Sequence, residues 1–155
     1  MVHASRGSEP PLQGSDMRPR KLEWSSDGKL LLVFKPYATR VYDMRGKVVA
    51  QDDPSDATFD RDAAFVPGTH QVLAIRAAGG SSNVFRFHDG RQVFNGYGVF
   101  RQLVFSPGGR WLMITWPTAN QWVFVRSHPR KIVGAARISN QFGGYPSIAS
   151  WCCAR

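Results

Sequence analysis

Cysteine is nearly missing from this 155-residue chain: only Cys152 and Cys153 occur, side by side close to the C-terminus. Neighbouring cysteines bridge only through a strained ring, so no structural disulfide is expected. They also lack the paired spacing of a zinc site, and they read as inert thiols in a terminal strand. Long apolar runs are missing too. Nothing nears the roughly 18 uninterrupted apolar residues of a membrane span. Residues 1–20 carry no apolar stretch of signal-peptide type, and their Pro, Gly and Ser content predicts a disordered lead-in over residues 1–19. Helical periodicity nowhere persists beyond about two turns. Acidic residues fail in one half: residues 64–155 hold ten arginines and lysines against Asp89 alone, whereas residues 1–63 hold ten of each sign.

Motifs that carry chemistry are absent as well. No Gly-x-Ser-x-Gly elbow seats a hydrolase nucleophile, and no Gly-x-x-x-x-Gly-Lys or helix-opening Gly-x-Gly-x-x-Gly cradles phosphate. Ser26-Asp27-Gly28-Lys29 matches Ser-x-x-Lys in form but falls in a hairpin turn, and Asn95-Gly96-Tyr97-Gly98 reads as a link. The histidines, His3, His70, His88 and His128, share no metal-ligand spacing. Asp52, Asp53, Asp56, Asp60 and Asp62 form one acidic cluster without the order of an EF-hand loop. It is expected to be a solvated link between units. No catalytic residue, metal or cofactor is expected.

What is present repeats. Trp24-Ser-Ser-Asp-Gly-Lys-Leu-Leu-Leu-Val-Phe34, Phe65-Val-Pro-Gly-Thr-His-Gln-Val-Leu-Ala-Ile75 and Phe105-Ser-Pro-Gly-Gly-Arg-Trp-Leu-Met-Ile-Thr115 each place an aromatic before a turn and an apolar run. Their spacings are 41 and 40 residues, so the chain is an array of like units. Short Val, Ile, Leu and aromatic runs between Gly, Pro and Asp predict an all-β chain, four strands to a unit. The second strands, such as Leu30–Phe34 and Val72–Ile75, are apolar on both faces and must be covered twice. Antiparallel four-stranded sheets stacked face to face are the blades of a β-propeller. The blades span about 20–55, 60–96 and 99–137, within a repeat region of 20–155. The long stretch Ala77–Ser82 is expected to be a flexible link inside the second.

Leu22-x-Trp24-Ser-Ser-Asp-Gly-Lys29 and Leu103-x-Phe105-Ser-Pro-Gly-Gly-Arg-Trp-Leu112 resemble the core of TolB-type, WD-like β-propeller repeats. The resemblance covers about residues 20–135. Residues 145–151 look like the opening strand of a fourth copy, with Ile148 and Trp151 in the places of Leu22 and Trp24. Three blades and a strand do not close a ring, so a partial array is expected: the C-terminal part of a longer propeller, or a chain that self-associates to cover its open blade faces.

The resemblance implies a non-catalytic scaffold that binds a protein or peptide, in a family often exported or membrane-associated. A propeller piece from a serine peptidase or hydrolase is the enzymatic alternative. Binding of nucleic acid or another anionic polymer by the basic half is a third. Against that third reading, the cations of residues 64–155 stand singly along the chain, with only Arg130-Lys131 adjacent. The candidate recognition edge is Trp116 and Trp122, which flank a loop, together with Arg126 and His128.

Overall fold

The computed structural model describes residues 18–55 and 57–151. Almost all of the expected lead-in, with His3, Asp56, Cys152 and Cys153, lies outside the described residues. The described chain is all-β. Strands β1 (Lys21–Trp24), β2 (Leu30–Phe34), β3 (Thr39–Asp43) and β4 (Val48–Asp52) make the first sheet. The second holds β5 (Thr58–Phe65), β6 (Val72–Ala78), β7 (Ser81–Arg86) and β8 (Gln92–Tyr97). The third holds β9 (Leu103–Phe105), β10 (Leu112–Trp116), β11 (Gln121–Arg126) and β12 (Lys131–Ala136). Each is an antiparallel meander in chain order.

Local chemistry sets the turns. In the first unit the Asp27 carboxylate accepts from the Ser25 hydroxyl at 2.7 Å and the Lys29 amide at 3.2 Å, which closes an Asx-type turn. In the second, Gly79 and Gly80 sit at φ 54° and 81°, the left-handed pair that a two-residue hairpin needs. The stretch Ala77–Ser82 is therefore no flexible link: β6 and β7 stay paired up to Ala78 and Ser81. Small side chains let the ladder continue there. The buried Ser82 hydroxyl donates to the Gly98 carbonyl at 2.7 Å and accepts from the Phe100 amide at 3.2 Å.

The sheets stack as successive blades, with β5 touching both β1 and β9 at the inner edge. On one face of the second sheet Ala63, Phe65, Val72 and Ala74 pack against Leu32, Phe34 and Val41 of the first. On the other, Ala64, Leu73 and Ile75 pack against Leu103, Leu112 and Ile114 of the third. Successive residues of β5 and β6 thus enter different cores, because strand side chains alternate sides. That is why the apolar runs show no alternation. Along the outer strands β4 and β12, Val48, Val49, Ile132 and Val133 are exposed.

The acidic cluster differs from expectation. β5 begins at Thr58, so Asp60 and Asp62 lie in a buried strand and not in a solvated link. Two cations from neighbouring strands make this tolerable: Arg76 Nε donates to Asp60 at 3.1 Å, and Lys21 Nζ to Asp62 at 3.2 Å. A bulge between Asp60 and Asp62 lifts Arg61 out of the ladder. Burial pushes the Asp60 carboxyl up to about 7. It raises Asp62 as well, against the pull of Lys21.

One position ties each blade to the next. Lys21, Asp62 and Gln102 each stand three residues before the repeat aromatic. Lys21 Nζ donates to the Ala63 carbonyl at 2.8 Å, and Asp62 Oδ2 accepts from the Leu103 amide at 2.8 Å. The Gln102 amide accepts from the Ile148 N–H at 3.1 Å and donates to its carbonyl at 3.0 Å. Residues 145–151 form no strand, yet Ile148 occupies the place that Ala63 and Leu103 hold in the other units. Trp151 meets Phe124 edge-on at 5.7 Å. The short helix α1 (Ile138–Phe142) precedes this segment. The Tyr145 hydroxyl then clamps the β10–β11 link, accepting from the Trp116 amide at 2.8 Å and donating to the Gln121 carbonyl at 2.6 Å.

Candidate functional site

Of the four candidate recognition residues, Trp116, Trp122 and Arg126 lie in the third sheet and His128 in its β11–β12 turn, and they fall at opposite ends of that sheet. Arg126 lies four positions beyond Trp122 along β11, about 14 Å at about 3.4 Å per residue. Trp116 is half-buried: its indole N–H donates to the Tyr97 carbonyl at 3.0 Å, and its ring stands edge-on to Phe100 at 5.1 Å. Trp122, also half-buried, lies against Phe142 at 5.5 Å. The two tryptophans therefore serve the packing at that end.

Arg126 and His128 sit at the other end, and other cations join them there. Arg86, Arg91, Arg110, Arg126 and Arg130 border one cleft of about 320 Å³ between the second and third sheets, with His128 at its edge. Its floor is apolar, formed by Val66, Leu73, Val93, Phe105, Leu112 and Val125. The Arg126 guanidinium stacks over the Trp111 ring at 5.1 Å, and its Nε donates to the Pro129 carbonyl at 3.3 Å. Arg86 Nε donates to Asp89 at 2.8 Å, and this hydrogen bond holds the Asp89 carboxyl below its ordinary value. Arg91, Arg110, Arg126 and Arg130 make no ion pair among the described residues.

Guanidinium groups stay protonated throughout the physiological range, so the cleft offers fixed charge and planar donor forks. Low-dielectric walls on either side concentrate that field. Among the described residues no group of three or more His, Cys, Asp and Glu side chains is placed to hold a metal ion. No helix among them is long and apolar enough to cross a membrane.

Singly spaced cations hid this convergence. One signal was there to be read: Arg86 and Arg126 both end the third strand of their unit, and Arg91 and Arg130 each directly precede the fourth. Stacking adjacent blades brings equivalent strand ends together.

No family model matches the chain, and no curated protein matches it in sequence. Solved structures do match in fold. Hydrazine synthase from Kuenenia stuttgartiensis is 21% identical, with a TM-score of 0.56, over 76% of this chain and 42% of that one. A candidate 6-phosphogluconolactonase from Bacteroides fragilis is 16% identical, with a TM-score of 0.54, over 77% of this chain and 38% of that one. Hsv2 from Kluyvelomyces marxianus is 9% identical, with a TM-score of 0.51, over 78% and 40%. The chain spans less than half the length of each of these. Together with the three stacked meanders, the first two matches identify the architecture as an all-β partial propeller.

Proposed function

We propose that this chain is a non-catalytic propeller repeat module of TolB-like kind, a protein-interaction scaffold that takes an acidic segment of a partner protein. The supporting observation is the cleft between the second and third sheets, where five arginines rim an apolar floor. Arginine pairs with carboxylates through two parallel hydrogen bonds. An apolar floor beneath such a rim suits a peptide carrying both carboxylates and apolar side chains. A nucleic-acid backbone offers nothing for that floor.

Fluorescence anisotropy with a labelled peptide of alternating Glu and Leu tests the reading. The peptide is expected to bind, more weakly as salt rises. The double variant Arg91→Glu/Arg130→Glu, at two exposed positions, is expected to weaken it by about tenfold or more. Equal binding by that variant overturns the reading. So does displacement of the peptide by random duplex DNA at lower concentration than unlabelled peptide, which favours the nucleic-acid alternative.

A further inference from the structure

A second cavity, of about 520 Å³, opens where the inner strands β1, β5 and β9 meet residues 148–151. Arg20, Arg61 and Arg101 all border it. Each stands four residues before its repeat aromatic, Trp24, Phe65 or Phe105. The register confirms the equivalence: the residues that follow them, Lys21, Asp62 and Gln102, are the three inter-blade ties. The repeat thus places one arginine per blade on the wall of the same cavity, although the chain separates them by about forty residues.

None of these three cations is neutralised by a carboxylate among the described residues. The cavity's two carboxylates, Glu23 and Asp62, are both engaged by Lys21, at 3.1 and 3.2 Å. Arg20, Arg61 and Arg101 make no ion pair or side-chain hydrogen bond among the described residues. Arg40, Arg76 and Arg86, by contrast, each pair with aspartate. The Arg61 guanidinium rests on the Phe59 ring at 4.6 Å, and its Nε is buried without a hydrogen-bond partner. An unmet buried donor is costly, and a bulge that re-aims a side chain is a common device beside binding sites. The remaining wall is largely apolar, with Phe34, Phe65 and Trp151. The volume falls within the ordinary range for small-molecule sites.

We infer that this cavity binds a small multivalent anion, whose phosphate or carboxylate oxygens are held by Arg20, Arg61 and Arg101 and whose body packs on the aromatic wall. Three planar donor forks bordering one space match such oxygens.

The test is calorimetric titration of the full chain with pyrophosphate and, separately, citrate at matched ionic strength. Saturable binding of at least one anion is expected, and the tighter of the two identifies the oxygen chemistry. Arg20→Ala and Arg101→Ala alter exposed side chains. Each is expected to weaken binding about tenfold, and the pair to abolish it. The cleft variant Arg91→Glu/Arg130→Glu is expected to bind as the parent does, which separates this site from the peptide cleft. Absence of saturable binding at millimolar anion overturns the inference. So does unchanged affinity in Arg20→Ala/Arg101→Ala.

Discussion

Replacing Asp62 by alanine removes the tie between the second and third blades, and its cost can be worked from the contacts. Asp62 Oδ2 accepts the Leu103 amide at 2.8 Å, while Oδ1 accepts the Ala63 amide at 2.9 Å and Lys21 Nζ at 3.2 Å. Removing one member of a buried ion pair commonly costs about 3–5 kcal/mol, because the other is left stranded. Lys21 is not stranded. It is about a third exposed and keeps the Ala63 carbonyl at 2.8 Å and Glu23 at 3.1 Å. What stays unmet is chiefly the buried Leu103 amide, worth about 1–3 kcal/mol. Asp62→Ala is therefore expected to lose about 2–3 kcal/mol in urea unfolding. Asp62→Asn keeps one acceptor and the shape while shedding a charge that burial disfavours, and it is expected to lose about 1 kcal/mol or less. In a double-mutant cycle, Lys21→Met costs less in the Asp62→Ala background than in the parent. An Asp62→Ala loss below about 0.5 kcal/mol refutes the reasoning. Equal losses for alanine and asparagine refute it too, since the acceptor would then carry nothing.

Asp60 makes stability depend on pH. Its folded value of about 7 lies above the ordinary 3.8, so between these limits the folded chain binds more protons than the unfolded one. The contribution of Asp60 to stability is then fullest below about pH 4, is lost as pH rises to about 7, and is level above. The limit is about 4 kcal/mol at about 1.4 per pH unit, reduced by the Arg76 guanidinium at 3.1 Å. Urea midpoints at pH 5 and pH 8 are expected to differ less in Asp60→Asn than in the parent; equal slopes would sink the assignment. Gly96→Ala is expected to cost about 1–3 kcal/mol by overpacking. Its new Cβ falls 2.8 Å from the Trp116 ring and 3.1 Å from Phe100. Gly134→Ala, with nothing nearer than 3.9 Å, is the strand control, and a like loss in thermal midpoint for both would remove the steric explanation.

The sequence was most legible where structure depends on neighbours along the chain. Trp24, Phe65 and Phe105, each followed by a turn and an apolar run, marked three units of four strands, since turn chemistry and strand alternation are local. The Asp60 and Asp62 strand misled for the same reason. Thr58-Phe-Asp-Arg-Asp62 reads as a polar link until Arg76 and Lys21 arrive to neutralise it. The expected strand at 145–151 was half legible: its place in the array was marked by Ile148 and Trp151. Its attachment through one glutamine side chain was not.

By itself, then, the sequence determined the all-β class, the strands and the period of the array, because these follow from short-range propensity and from residues recurring at fixed intervals. Only the tertiary structure decided which side chains converge. Lys21, Asp62 and Gln102 tie partners 41 to 46 residues away. The arginines of the cleft and the cavity border common spaces because stacked blades bring equivalent stretches of the repeat together. That superposition depends on the register between sheets, set by packing across two cores, and no local run of residues encodes it.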